Sequence, residues 1–125
     1  MLQILPTDQP AALVIRASGT VGALQNAGAL GVLRRMARTH GRIGVLLDLC
    51  DMEHIERAAL QQGLDFAAVD PHTFHAIAIL GEGTWADSIE ALARAHTRAE
   101  VRRYTAPERK AARAFACRPP VFPPA

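Results

Sequence analysis

Six side chains that could bind metals or transfer protons lie close together between residues 48 and 56. They are Asp48, Cys50, Asp51, Glu53, His54 and Glu56. Carboxylates suit hard cations, whereas zinc would prefer His54 and Cys50 with one carboxylate. The segment follows a predicted buried strand, and ligands of α/β sheets favour the carboxyl ends of strands. Adjacent residues of one loop seldom converge on a metal without distant ligands, so we interpret the segment as a structural acidic loop and assign no metal.

A second candidate is Gly81–Thr84, whose sequence Gly-Glu-Gly-Thr precedes a predicted helix. The free backbone amides of a helix N-terminus can hold an anion. The segment lacks the third glycine of a dinucleotide fingerprint and the lysine of a P-loop, and Glu82 would repel phosphate. We therefore predict a turn followed by a helix in which Thr84 and Asp87 form a capping box.

The histidines and cysteines do not form a recognisable catalytic set. The five histidines are scattered, although His72 and His75 could face a common cleft if their loop folds back. No Ser or Cys elbow accompanies them. Cys50 and Cys117 match no metal or redox motif and are expected to be free thiols in a reducing compartment. We assign no catalytic residue and no cofactor, and predict that the chain is not an enzyme.

The elements that position these residues can be predicted from hydrophobic patterning. Leu2–Leu5 and Ala11–Ser18 are two strands joined by a proline-rich turn, which indicates an antiparallel hairpin at a sheet edge. Helical spacing and stop signals then alternate with apolar runs. The predicted elements are helix 23–40, strand 43–49, helix 58–69, strand 74–80, a helix from residue 84, strand 100–104, and a closing helix to about residue 115 after a Thr105–Glu108 capping box.

This order predicts a single α/β domain with a mixed, mostly parallel five-stranded sheet, an N-terminal antiparallel hairpin and four helices. We place the domain at residues 1–116. Residues 117–125 form a proline-rich C-terminal tail, which we expect to be extended or disordered.

Charge and composition restrict the partners. Residues 94–118 hold eight of the fourteen Lys and Arg residues, although the net charge is only +2. Stacking aromatics do not interleave with these arginines, so we do not expect a nucleic-acid partner. An Arg-rich C-terminal helix could instead contact anionic lipid, which makes a peripheral membrane protein one alternative. Because the chain has neither a secretory signal pattern nor a membrane-spanning run, we expect it in the cytoplasm.

Three short strings carry a resemblance to a known family. They are SGT at residues 18–20, HGRIGVLLDL at 40–49 and RAEVRRY at 98–104. In their order and spacing they resemble the SpoIIAA-like family of the STAS superfamily, over about residues 2–116. The resemblance implies a STAS-type fold, distantly similar to CRAL-TRIO lipid-binding proteins, with members that bind partner proteins or apolar ligands.

The chain departs from that family at two places. Where the anti-sigma-factor antagonists carry a phosphorylated serine, this chain has the acidic segment that begins at Cys50, so we do not expect a phosphoserine switch. Related members tend to have tryptophans at the positions of Ile55, Gln61 and Ser88, and of that aromatic set only Trp85 remains here.

The candidate ligand-binding residues lie on the second and third helices and on the segment before them. They are Ile55, Leu60, Leu64, Phe66, Trp85 and Ile89. Such residues more often form a core than a pocket, and both interpretations stay open. We predict a cytoplasmic binding module that holds a protein partner, a second copy of itself or a small apolar or lipid-like ligand through its helical layer. A metal-dependent enzyme that uses residues 48–56 is a further alternative.

Overall fold

The computed structural model describes residues 1–120 as one α/β domain. The prediction of a proline-rich tail falls mainly on residues 121–125, which lie outside the described residues. The elements follow the predicted order: β1 (Leu2–Pro6), β2 (Ala12–Val21), α1 (Ala23–His40), β3 (Ile43–Ile55), α2 (Arg57–Val69), β4 (Phe74–Leu80), α3 (Thr84–His96), β5 (Glu100–Tyr104) and α4 (Arg109–Ala116).

The five strands form one sheet in the order β1-β2-β3-β4-β5. β1 is antiparallel to β2, and every other neighbouring pair is parallel. Pro6 pairs with Leu13 on the edge strand, where a residue without an N–H is tolerated. The predicted fold class and the edge hairpin are therefore confirmed.

Side chains alternate between the two faces of the sheet and divide the core in two. In β4, Ile77 and Ile79 pack in the cluster that includes residues of α1, α2 and α3. Ala76, Ala78 and Leu80 pack instead in the cluster that includes α4. Three helices thus cover one face of the sheet and the short α4 covers part of the other.

The first helix has the predicted bounds. Ala29 and Leu33, four residues apart, are its buried residues. It ends at Gly41, whose backbone φ of 81° is readily adopted by glycine and whose N–H donates to the carbonyl oxygen of Ala37. No helix within residues 1–120 is long and apolar enough to cross a membrane.

The central strand β3 is longer than its apolar run. We predicted that the strand ends at Leu49 and that an acidic loop follows, but the backbone continues as a strand to Ile55. This extension pairs with the end of β2, where two irregularities in register bring Ser18 opposite Asp51 and Val21 opposite Ile55. The prediction of a loop was wrong, because β2 supplies hydrogen-bonding partners that polar composition does not indicate.

The C-terminal helix is tied closely to the sheet. The predicted capping box is present, with Thr105 and Glu108 bonded to each other ahead of α4. Phe115 is buried, and the guanidinium carbons of Arg102 and Arg118 lie 4.4 Å and 4.3 Å from the centroid of its ring. At Gly44 the backbone of β3 approaches the end of α4 so closely that a Cβ atom would overlap the carbonyl oxygen of Ala116.

Candidate functional site

An apolar cavity of about 190 Å³ lies between the sheet and the layer formed by α1, α2 and α3. Its floor comes from alternating strand residues such as Ile15, Val45 and Ile77, which point to this side of the sheet. Its walls come from the three helices, because each right-handed crossover places its helix on the same face. The fold therefore builds the cavity from apolar stripes that also form the larger core.

Five of the six predicted ligand-binding residues line this cavity. They are Ile55, Leu60, Leu64, Phe66 and Ile89. Trp85 does not line it. Its ring packs edge-on against His54, with 5.3 Å between the ring centroids, and the residue is partly buried against the same core cluster.

Sequence reasoning missed the contributions of α1 and of the end of α3. Leu30 and Leu33 line the cavity from α1, and Leu92 and Ala93 line it from α3. The placement of the helices by the crossovers decides which apolar stripes face one another across a cavity. The hydrophobic periodicity of a single helix does not contain that information.

The polar groups of the cavity wall are largely engaged within the protein. The Asn26 amide donates to the carbonyl oxygen of Ala59 at 2.9 Å and to Oε1 of Gln62 at 3.1 Å. The Thr97 hydroxyl donates to the carbonyl oxygen of Ala93 at 2.7 Å. A ligand would therefore be selected by shape and apolar contact, with exposed His96 as a polar group beside it.

Gly63 leaves part of the wall without a side chain. It lies in the middle of α2 and lines the cavity, and a Cβ atom built there would have no atom within 4 Å. Glycine in a helix interior costs roughly 0.5–1 kcal/mol relative to alanine. Glycine at residue 63 therefore lowers the stability of α2 slightly and leaves open space at the cavity wall.

The acidic segment of β3 has a different arrangement from the one considered for a metal. The Asp48 carboxylate is 2% exposed and accepts hydrogen bonds from Arg109 and, at 3.4 Å, from Nε of Arg16. Burial alone would raise the pKa of this carboxyl, but the hydrogen bonds from Arg109 and from the Cys50 amide outweigh it, and the pKa is lowered. Asp48 thus serves as an ionised anchor for α4.

The surroundings of the Cys50 thiol favour its protonated form. Burial of its thiol, followed by the hydrogen bond and negative charge of Asp48, raises the pKa of Cys50 above its ordinary value, although Arg109 acts in the opposite direction. The thiol is therefore protonated near neutral pH. Both Cys50 and Cys117 are free thiols, as predicted. Within residues 1–120, no three His, Cys, Asp or Glu side chains are grouped closely enough to hold a metal ion.

Residues 81–83 connect β4 to α3, which begins at Thr84, and the predicted capping box is not formed. Gly83 is the N-cap of α3, and no side chain caps the helix there. Asp87 instead accepts a hydrogen bond from Nη1 of Arg103 at 2.9 Å. The prediction was wrong because an arginine on β5 provides a partner for the carboxylate that local sequence does not reveal.

Helix α4, the alternative membrane-binding surface, makes contacts within the domain that limit what it could offer to lipid. The apolar face of α4, formed by Ala112, Phe115 and Ala116, is buried against the sheet. Arg109 is paired with Asp48, whereas Lys110 and Arg113 are exposed. A lipid contact through this helix would therefore depend on charge alone, and it remains an untested prediction.

Comparisons with known proteins agree with this architecture. The crystal structure of an uncharacterised protein from Shewanella loihica, described as having a SpoIIAA-like fold, superposes with a TM-score of 0.71. The two chains share 17% sequence identity over 94% of this chain and 93% of the other. Among curated proteins none matches the chain. The family model named SpoIIAA-like matches residues 12–117, and the chain therefore belongs to the SpoIIAA-like family.

Proposed function

We propose that this chain is a non-enzymatic binding module that accepts a small apolar ligand in the cavity beneath α1, α2 and α3. The observation that carries the proposal is the cavity itself, about 190 Å³ of space surrounded by apolar side chains. Well-packed interiors contain few voids larger than a water molecule. A concave site lined mainly by apolar side chains is suited to an apolar guest.

The volume restricts the class of ligand. An engineered apolar cavity of about 150 Å³ binds benzene, whereas drug-sized ligands occupy pockets of about 300–1,000 Å³. The 190 Å³ present here suits a compact aromatic or branched aliphatic group. A full acyl chain would require the three helices to move apart.

A protein partner has less support from the structure than a small ligand, because the helices expose few large apolar residues. Leu24 and Val69 are the large apolar residues most exposed on the helices, at 89% and 87%. They lie on different elements, at the start of α1 and at the end of α2. Isolated exposed apolar residues are ordinary on soluble proteins, so we favour the small ligand over a protein partner.

Filling the cavity should abolish ligand binding. We expect benzene to raise the thermal unfolding midpoint of the wild-type protein, by an amount equivalent to about 1.4 kcal/mol at ten times its Kd. Gly63→Leu should place a side chain in the open space and remove this benzene effect. The measurement is thermal unfolding with and without benzene, supported by benzene-induced shifts of cavity methyl groups in NMR spectra.

Gly28→Leu is the matched control. Gly28 is an exposed helical glycine of α1 that does not line the cavity, and a Cβ atom there also has no atom within 4 Å. Both substitutions remove a helix-interior glycine, but only the one at residue 63 should block the ligand. If benzene failed to stabilise the wild type, or stabilised the two variants equally, the cavity would be a packing defect and the proposal would be wrong.

A further inference from the structure

A second cleft, separate from the apolar cavity, lies at the amino ends of β3, β4 and β5. Its volume is about 400 Å³. Because these three strands are parallel, the residues that precede or begin them gather at one edge of the sheet. The polar side chains that line the cleft are Arg42, His72, His75, Arg98, Glu100 and Arg118. His72 and His75 therefore share a cleft, as their spacing allowed.

Positive charge dominates the lining. Among the described residues of the lining, Glu100 is the one carboxylate beside three arginines, and it accepts a hydrogen bond from Arg118 at 2.7 Å. Glu100 is also bound at 2.7 Å by Arg102, which does not line the cleft. The Arg98 side chain forms no hydrogen bond or ion pair with any residue in the described part of the chain. The guanidinium donors of Arg98 therefore face the open space of the cleft.

The ionisation of His75 is consistent with that surplus. Its pKa is lowered first by burial and then by the positive charges of Arg118 and Arg42. The imidazole is therefore neutral near neutral pH. It contributes a polar wall to the cleft, while the arginines supply its charge.

We propose that this cleft binds a small anion through a phosphate or carboxylate group, with the guanidinium of Arg98 as a principal contact. Planar guanidinium groups match both kinds of oxygen pair and can bind them with two parallel hydrogen bonds. A volume of about 400 Å³ leaves room for an organic part beside the charged group. The site lies at the opposite edge of the sheet from Asp48, and Phe74 is the one described residue that it shares with the apolar cavity.

Helix ends provide the competing explanation for these cations. α1 and α3 finish just before Arg42 and Arg98, and positive side chains stabilise the negative ends of helices. Some carbonyl groups in the last turns of these helices are, however, already bonded to the backbone, because the Gly41 N–H donates to Ala37 and the Thr97 N–H donates to Ala93. If helix compensation were the whole role of Arg98, its replacement would change stability and there would be no anion binding to lose.

The experiment is a titration of the full chain with inorganic phosphate and, separately, with citrate, at ionic strength held constant with sodium chloride. Backbone amide shifts should saturate and cluster around residues 72–75 and 98–100. Arg98→Gln should weaken binding about tenfold, the effect of losing one charge-assisted contact worth about 1.4 kcal/mol. Arg42→Gln provides a second variant on the other side of the cleft.

Arg57→Gln is the matched control, because it removes the same charge from the exposed first residue of α2. Saturable binding that survives Arg57→Gln and is weakened by Arg98→Gln supports the site. Preference for phosphate or for citrate then identifies the anionic group. Absence of saturation with both anions, or equal weakening of binding by the two substitutions, overturns the proposed anion site. Gly63→Leu should leave anion binding unchanged, so this proposal and that of the apolar cavity can fail separately.

Discussion

Replacing Gly44 by alanine should lower the free energy of unfolding by about 3 kcal/mol, the upper part of the range for overpacked cores. The added Cβ atom would lie 3.1 Å from the carbonyl carbon of Ala116 and would overlap its oxygen. Both obstacles are backbone atoms, and β3 is held by strands on both sides, so the strain must displace the end of α4. Urea unfolding followed by circular dichroism measures the loss.

A matched glycine distinguishes steric overlap from a general effect of alanine. Gly28→Ala adds the same methyl group to an exposed helical position and should stabilise the protein by roughly 0.5–1 kcal/mol. Faster amide hydrogen exchange in α4 of the Gly44 variant would locate the strain at the predicted contact. A Gly44→Ala protein as stable as the wild type would show that α4 packs less closely than the structure indicates.

Removing Arg109 should have the second largest effect. Arg109→Ala leaves the buried Asp48 carboxylate with Arg16 as its remaining cationic partner, and we expect a loss of about 2 kcal/mol at pH 7, within the range for a hydrogen bond to a charged group. Asp48→Asn should cost less, because the Arg109 side chain is 46% exposed and can be hydrated by solvent. Lys110→Ala, at an exposed neighbouring position, is the control and should change stability little.

The pH dependence of these variants tests the same ion pair. Because the pKa of Asp48 is lowered in the folded protein, its contribution to stability is complete above the pKa of the unfolded carboxyl, about 3.9. It is lost as the pH falls through the lower folded-state pKa. The stability difference between wild type and Asp48→Asn should therefore shrink as the pH falls below about 4. A difference that stays constant down to pH 2 would contradict the assignment.

Much of the fold could be predicted because local signals agreed with the tertiary structure. Helix α1 carries its stop signal in the sequence, and β4 is a continuous apolar run covered on both faces. The error at residues 50–55 arose because the extension of β3 depends on the register of β2. Two irregularities in that register are tertiary features, whereas acidic composition is a local one.

Most of the predicted ligand-binding residues do line the candidate cavity, but the shape of the cavity could not be predicted from the sequence. Leu60 and Leu64 lie on one face of α2 because they are one helical turn apart, and that spacing is visible in the sequence. Trp85 has the same apolar character, yet it packs against His54 and does not reach the cavity. The basic cleft was harder to foresee, because Arg42, Arg98 and Arg118 are far apart in sequence and are gathered by parallel pairing of their strands and by the docking of α4.

The sheet acts as a partition between two structural compartments. Substitutions that perturb different sides of a partition share few neighbours, so their energetic effects should add independently. The Gly44→Ala penalty on the α4 side and the Gly63→Leu change on the three-helix side should therefore sum without coupling. A chain built this way can change the lining of the proposed ligand cavity on one side while the opposite side continues to maintain the scaffold.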